Sequence, residues 1–411
     1  MTTPNEASLA DLLTQLEAAV SAGDRVRAMA IERTILQRLA AEAADRAALE
    51  RRVRALMAEL DRPAAIAADL PASALDVKEG DEAGGVVYPV WFGTNRKPTV
   101  QGDGYTGERH DRLARGRVEV LVPQAHRFGE TGSGFWRRLL RFDLRDDRLR
   151  LQHVETQERD AFFADIRNAM QAATESGVSS QALFFLHGFN VSFEDAAIRA
   201  AQIGYDLKVT GATAFFSWPS RGSVALYPAD EASIEASEAA ITDFLVDFTS
   251  NCGAEKVHVI AHSMGNRGML RALQRIAANA EMRGKVKFGQ VFLAAPDVDR
   301  DLFLDLAHLY PAYAERTTLY ASGADLPVHL SSKLHDAPRA GYFKPYTVAA
   351  DIDTVAVPDF DIDLLGHSYF AQAEALLHDL YDLMRNNTAP GQRQRIDAAQ
   401  SDGASFWKLR R

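Results

Sequence analysis

One stretch constrains the fold of this chain more than any other: Val257-His258-Val259-Ile260-Ala261-His262-Ser263-Met264-Gly265, an apolar run that passes straight into a helical pattern. The run Val257 to Ala261 reads as a buried strand and Met264 to Ala280 as a helix. Between them lies a small-x-Ser-x-Gly turn. Such a joint holds its serine in a strained backbone conformation at the carboxyl end of a sheet, so the residues two before and two after must be small. Here they are Ala261 and Gly265. Alanine replaces the more usual first glycine, and its single methyl keeps the steric logic.

The surrounding texture agrees with a sheet of this kind. Ala182 to Leu186 is apolar on both faces, as a central parallel strand should be. From there onward strands and helices alternate: a strand at Ala212 to Ser217, a helix from about Glu231 to Phe248, then strands at Gln290 to Ala295 and Thr317 to Ala321. That order predicts an α/β fold, a mostly parallel central sheet with helices on both faces. Upstream, Val86 to Phe92 and Val118 to Val122 read as strands. Leu139 to Leu144 and Leu149 to Val154 read as a hairpin turning at Asp146-Asp147.

The flanks differ. Residues 1–62 are dense in Ala, Leu, Arg and Glu, with Leu9, Leu13, Leu16 and Val20, then Leu49, Val53, Leu56 and Leu60, at helical spacing. An N-terminal α-helical extension, a hairpin or coiled coil, is the expectation. Its apolar stripes call for a partner: the main domain, a second copy or another protein. Residues 63–85 then read as a linker, 86–386 as the catalytic domain, and 387–411 as a loose polar tail.

Bulk properties exclude several function classes. With 46 basic and 56 acidic residues the net charge is −10, against broad binding to nucleic acid or an anionic membrane. No window offers the ~18 uninterrupted apolar residues of a membrane span, and the N-terminus lacks a signal-peptide pattern. Cys252 is the single cysteine, which rules out an intrachain disulfide and a cysteine zinc site. A cytoplasmic protein is expected.

A serine nucleophile needs a base, an acid and an oxyanion hole, and the turn implies the chain order Ser, acid, His. Of the downstream histidines, His308 and His378 fall inside helical patterns, and His329 and His335 share one expected helix. His367 follows Gly366 on an irregular stretch directly before the amphipathic run Ser368 to Met384, where a loop-borne base belongs. Two strand ends offer an acid. Asp325 leaves the later strand on a glycine-containing loop, and Asp297 leaves the earlier one after Pro296, with loop hydrogen bonding as its simpler role. Leu186-His187-Gly188-Phe189-Asn190 ends a strand and begins a helix, so the backbone N–H groups of Phe189 and Met264 are the expected oxyanion donors. Phe193, Trp218 and Tyr227 are candidates for an apolar substrate pocket.

Together these residues resemble an α/β-hydrolase, specifically the bacterial hydrolases of the esterase/lipase superfamily that are grouped as a domain of unknown function. The resemblance runs from Val86 to Met384 through Gly93-Thr94-Asn95-Arg96, Phe184 to Asn190, Phe216-Ser217-Trp218-Pro219-Ser220, the serine turn, Ala295-Pro296-Asp297-Val298-Asp299, Ser322-Gly323-Ala324-Asp325 and Gly366-His367-Ser368. It implies an α/β-hydrolase fold, a triad of Ser263, Asp325 and His367, and ester hydrolysis without metal or cofactor. The N-terminal helices lie outside it. A small acyl ester is the implied substrate, with a thioesterase, amidase or acyltransferase on the same triad, or a scaffold recruiting partners through its helices, as alternatives. Two further signals weigh little. Asp359-x-Asp361-x-Asp363 lacks the glycine and glutamate of a calcium loop, and the arginines from Arg137 to Arg150 alternate with apolar residues as on a solvated sheet face.

Overall fold

The computed structural model of the chain describes residues 15, 79–80, 85–123, 149–177, 179–221, 227–322, 337–342, 345–357 and 370–410. The chain divides into Met1–Ala72 and Ser73–Arg411, and apart from Gln15 every described residue belongs to the second unit. The expected N-terminal helices, most of the linker and the expected strand Leu139 to Leu144 lie outside the described residues.

Among the described residues twelve strands form one sheet. They are β1 (Glu79–Gly80), β2 (Gly85–Pro98), β3 (Tyr105–Pro123), β4 (Arg150–Thr156), β5 (Gln181–Leu186) and β6 (Ala212–Ser217), followed by β7 (Lys256–His262), β8 (Phe288–Ala294), β9 (Ala314–Ala321), β10 (Asp353–Ala356), β11 (Ile396–Ser401) and β12 (Ala404–Leu409). The order across the sheet is β11-β12-β10-β9-β8-β7-β5-β6-β2-β3-β4, with β1 on β2. From β12 to β2 every pairing is parallel. The sheet is thus mostly parallel, with antiparallel hairpins at its margins, and the fold is α/β.

Alternation along the strands divides the core in two. Phe184 and Leu186 of β5 face one cluster, while Leu183 and Phe185 face the other, as the period of two along a strand requires. The first cluster is covered by α1 (Arg159–Glu175), α4 (Glu238–Asn251) and α5 (Gly265–Ala278), and the second by α2 (Phe193–Asp206). The short α3 (Tyr227–Ala236) precedes α4, and α6 (Arg300–Leu306) and α7 (Leu309–Tyr313) connect β8 to β9. The helix α8 (Phe370–Asn386) adds Leu376, Leu377, Leu380 and Leu383 to the second cluster. Phe184 packs its ring against Phe244 and Phe248 at centroid distances of 6.1 and 6.2 Å. Truncating a phenylalanine buried this fully costs about 3–5 kcal/mol.

The strand from Arg150 pairs antiparallel with β3, setting Val118 against Val154, and its expected hairpin partner, residues 139–144, lies outside the described residues. One expectation is corrected here. Residues 387–411 were expected as a loose tail, yet β11 and β12 form a hairpin whose second strand joins the sheet beside β10. The turn residues Asp402 and Gly403 have φ of 52° and 78°, the left-handed pair that a tight hairpin favours. Arg393 fastens this segment: its buried guanidinium pairs with Asp379, donating from Nε to Oδ1 at 2.9 Å, and donates to Tyr320 Oη at 3.2 Å.

Candidate active site

Only Ser263 and Met264 separate the end of β7 from the first residue of α5. Ser263 has φ +49°, a left-handed conformation that a serine holds only when its surroundings dictate it, at a cost of order 1–3 kcal/mol. Its N–H donates to Ala294 O at 2.9 Å, and its carbonyl accepts from the N–H groups of Asn266 and Asp297, each at 3.1 Å. The Asn266 side-chain amide donates to the same carbonyl at 3.1 Å. Both peptides flanking the strained residue are therefore tied to β8, its following loop and the first turn of α5.

The small residues are explained by contact. A Cβ on Gly265 would stand 2.6 Å from the carbonyl oxygens of both Leu186 and His187, and one on Gly188 would stand 3.0 Å from Ser263 Cβ. Ala261 is fully buried at the end of β7. Three segments thus meet at Ser263 with no room for a methyl group between them.

The loop after β5 is fastened at nearly every residue. His187 is buried, and its Nδ1 lies 2.7 Å from Gly188 O. A carbonyl only accepts, so Nδ1 carries the proton and Nε2 is left to accept from Ser217 Oγ at 3.4 Å. Burial, with Arg96 nearby, holds the imidazole well below its ordinary titration range, so it is neutral. Holding Gly188 O also orients the planar peptide to Phe189, and with it the Phe189 N–H. Trp218 stacks on the imidazole at 5.1 Å and donates from Nε1 to His187 O at 2.9 Å.

Two buried charges brace this loop from outside. Arg96, 1% exposed, donates to Ser217 Oγ at 2.8 Å, Ser220 O at 3.1 Å and Val191 O at 2.7 Å. Burial pulls its guanidinium down to about 9, opposed by Asp230 and Asp195, so it remains charged at neutral pH. Asp230 accepts from Asn190 N at 3.1 Å, Ser220 Oγ at 2.5 Å and Arg221 N at 2.8 Å. Asn190 itself has φ +57°. Sequence reasoning missed both braces. Arg96 stands in the Gly93 to Arg96 string, but next to Lys97 and Pro98 it reads as a solvated strand end, and nothing local marks Asp230.

The structure brings Phe189, Tyr227 and Asp297 together. The Tyr227 ring meets Phe189 edge-on at 5.3 Å, and its hydroxyl donates to Asp297 and accepts from Arg267 Nη2 at 3.0 Å. Asp297 Oδ1 also faces Arg267 Nη2 at 3.6 Å and Arg339 Nε at 3.5 Å. Met264 is fully buried at the start of α5. Trp218 is equally buried, as a brace on His187. Phe193, a candidate pocket residue, is the first residue of α2, in the other cluster: its ring packs on Phe92 at 5.0 Å and Phe215 at 5.8 Å. Ser192 begins α2 with a capping box to Asp195, and that start directs Phe193 into this core.

Asp325 and His367 lie outside the described residues, as do Asp359 to Asp363, His329 and His335. His308 is exposed in the turn between α6 and α7, and His378 is exposed on α8. Among the described residues no cluster of three or more His, Cys, Asp or Glu side chains is placed to hold a metal ion, and no helix is long and apolar enough to cross a membrane.

A mostly parallel sheet covered on both faces, with a strained serine where a central strand turns into a helix, defines an α/β protein of hydrolase type. The profile of the family described as "Alpha/beta hydrolase of unknown function (DUF900)" matches residues 164–385, more than half of the chain, and the chain belongs to that family. Two solved structures are similar to it over part of its length. One is a putative hydrolase from Agrobacterium vitis S4, 13% identical with a TM-score of 0.33, over 69% of this chain and 98% of that one. The other is an uncharacterized protein from Bacillus cereus ATCC 10987, also 13% identical with a TM-score of 0.33, over 51% of this chain. The chain spans 61% of the Bacillus cereus protein's length. No protein of curated function matches it.

Proposed function

We propose that this chain is a serine hydrolase of carboxylic esters, with Ser263 as nucleophile, His367 as base and Asp325 as the acid that orients it. The observation that carries the reading is the left-handed backbone of Ser263, φ +49°, at the carboxyl end of β7. Strain of this kind persists at positions where a side chain must be presented to a ligand. In the reaction, Ser263 Oγ attacks the acyl carbonyl while its proton passes to His367. The N–H groups of Phe189 and Met264 hold the developing oxyanion. His367 returns the proton to the departing alcohol, and water then attacks the acyl-enzyme to release the carboxylic acid.

The environment of the loop supports this reading. Oxyanion donors act best when already oriented, and Arg96, Asp230 and neutral His187 hold the Phe189 peptide in one orientation. Phe189 and Tyr227 offer an apolar wall for the acyl group. In this reading residues 86–386 form the catalytic domain, and residues 1–62 a helical extension that associates with a second copy or a partner protein. A fluorophosphonate probe tests the assignment: it should label the wild-type chain and fail to label Ser263→Ala. Equal labelling of both, or unchanged turnover of p-nitrophenyl butyrate by Ser263→Ala, would remove Ser263 from the reaction.

A further inference from the structure

A line of three hydrogen bonds runs from β2 to the loop beside Ser263. It begins at Arg96, whose Nε donates to Ser217 Oγ at 2.8 Å. Ser217 Oγ lies 3.4 Å from His187 Nε2, and His187 Nδ1 lies 2.7 Å from Gly188 O. Sheet register sets the line: Ser217, the last residue of β6, pairs with Thr94, two residues before Arg96 on β2. Thr94 Oγ1 also donates to Ser217 O at 2.6 Å, which fixes that strand end. Arg96, Ser217 and His187 are all buried, so solvent does not screen the line.

The groups at its two ends fix the direction of every bond. A guanidinium only donates and a carbonyl only accepts. Ser217 therefore accepts from Arg96 and passes its own proton on, and among the described residues His187 Nε2 is the acceptor that meets it. Nε2 is then bare and Nδ1 protonated, the tautomer that Gly188 O requires. A positive charge thus heads a chain that ends on one carbonyl, and in a low-dielectric interior each bond of such a chain polarises the next. That carbonyl belongs to the peptide joining Gly188 to Phe189. Amide resonance couples the two ends of a peptide, so drawing electron density onto its oxygen makes its N–H, that of Phe189, a stronger donor. The bonds from Arg96 to Val191 O and Ser220 O hold the loop's shape but fall on other peptides.

We propose that Ser217 is a positioning residue of the oxyanion hole, passing the influence of the Arg96 charge through His187 to the Phe189 N–H. The proposal rests on the reading of Ser263 as nucleophile and of that N–H as an oxyanion donor. Ser217 acts through His187, two hydrogen bonds from the Gly188 carbonyl. Its link to His187 is the longest of the three, so the line can be cut there while Arg96 keeps its hold on Val191 and Ser220. Losing an oxyanion donor outright costs ~10²–10³-fold in kcat, so weakening one through the chain should cost about tenfold.

Ser217→Ala in the full chain is the test. On p-nitrophenyl butyrate kcat should fall about tenfold while KM stays within about twofold, the pattern of an interaction made in the transition state. An alkyl trifluoromethyl ketone, to whose carbonyl carbon Ser263 Oγ adds reversibly to leave an oxyanion, should bind about tenfold more weakly, in step with kcat. Some stability is lost as well, because Arg96 Nε loses an acceptor. A residue that served the fold alone would lower the melting temperature and leave kcat and ketone affinity of the folded protein unchanged. Should Ser217→Ala fold poorly, Ser217→Cys fills the space with a weaker donor and should show the same paired losses. Unchanged kcat in the folded variant, a rise in KM alone, or a fall in kcat without the matching loss of ketone affinity overturns the proposal. In each of those cases fluorophosphonate labelling of Ser263 keeps the ester hydrolase reading in place, whereas a wild type that is not labelled overturns both.

Discussion

Gly188 passes so close to Ser263 that a methyl group on one would stand 3.0 Å from the Cβ of the other. The loop after β5 and the turn after β7 are therefore a single packed unit, and a change in either displaces both.

Gly188→Ala tests this coupling. The added methyl also meets His262 Nδ1 at 3.2 Å and His262 O at 3.3 Å, so the loop must move by a few tenths of an ångström. Displacements on the ångström scale at a reacting centre cost ~10²-fold in rate. The expected outcome is a folded protein with kcat towards p-nitrophenyl butyrate reduced by ~10–100-fold. Ser263→Ala should lose ~10⁴-fold or more, and adding His367→Ala should make it little worse.

Asp230→Ala leaves the N–H groups of Asn190 and Arg221 and the hydroxyl of Ser220 without their acceptor. Each unsatisfied buried donor costs about 1–3 kcal/mol. The variant should unfold at distinctly lower denaturant concentration. On the proposed reaction kcat should fall more than KM changes, because the loop that carries the Phe189 N–H loosens. Urea melts and steady-state kinetics on one preparation check both.

The two candidate acids separate by what their loss does. Asp297 stands between Arg267 and Arg339 and accepts from Tyr227, so Asp297→Asn uncovers buried positive charge and should destabilise by about 3 kcal/mol. Asp325→Asn should lower kcat by ~10⁴-fold with little change in stability. Turnover and melting temperature measured on both variants give the comparison. The opposite ranking in turnover would transfer the acid's role to Asp297.

Stability should fall with acid through two histidines. Burial lowers His258 from its ordinary 6.5 to about 4, and burial with Arg96 nearby holds His187 well below its ordinary value too. Below pH 6.5 the unfolded chain takes up protons at these positions and the folded one does not, so stability is complete above about 6.5 and drains as pH falls toward 4. His258 alone contributes about 3 kcal/mol across that window. Its Nδ1 accepts the Gln290 N–H at 3.0 Å, which requires that nitrogen unprotonated. His258→Phe should be less stable at pH 7 yet show a shallower decline between pH 6.5 and 4.5, and an unchanged slope would refute the assignment.

The parts of the fold that show in the sequence are those set by local pattern. The apolar runs of β5 and β7 and the small residues around Ser263 are short-range features, each with a steric reason found at the same place in the structure. What did not show depends on contacts across long stretches of chain. Arg96 and Ser217 are 121 residues apart, and Arg96 alone resembles any charged strand end. Phe193 read as a pocket residue because it follows the loop, but the first turn of α2 carries it into the opposite core. The hairpin β11–β12 had a legible cue in Asp402-Gly403, outweighed by the polar composition around it.

The stacking of Trp218 on a neutral, buried imidazole has an optical consequence. An indole held face to face with His187 at 5.1 Å and bonded to its carbonyl is a fluorophore built into the loop beside Ser263. Shifts in that loop change the indole's nearest ring and its hydrogen bond together. Its emission can therefore report loop rearrangement in the unlabelled protein, with Trp218→Phe as the blank that isolates its signal from the other tryptophans.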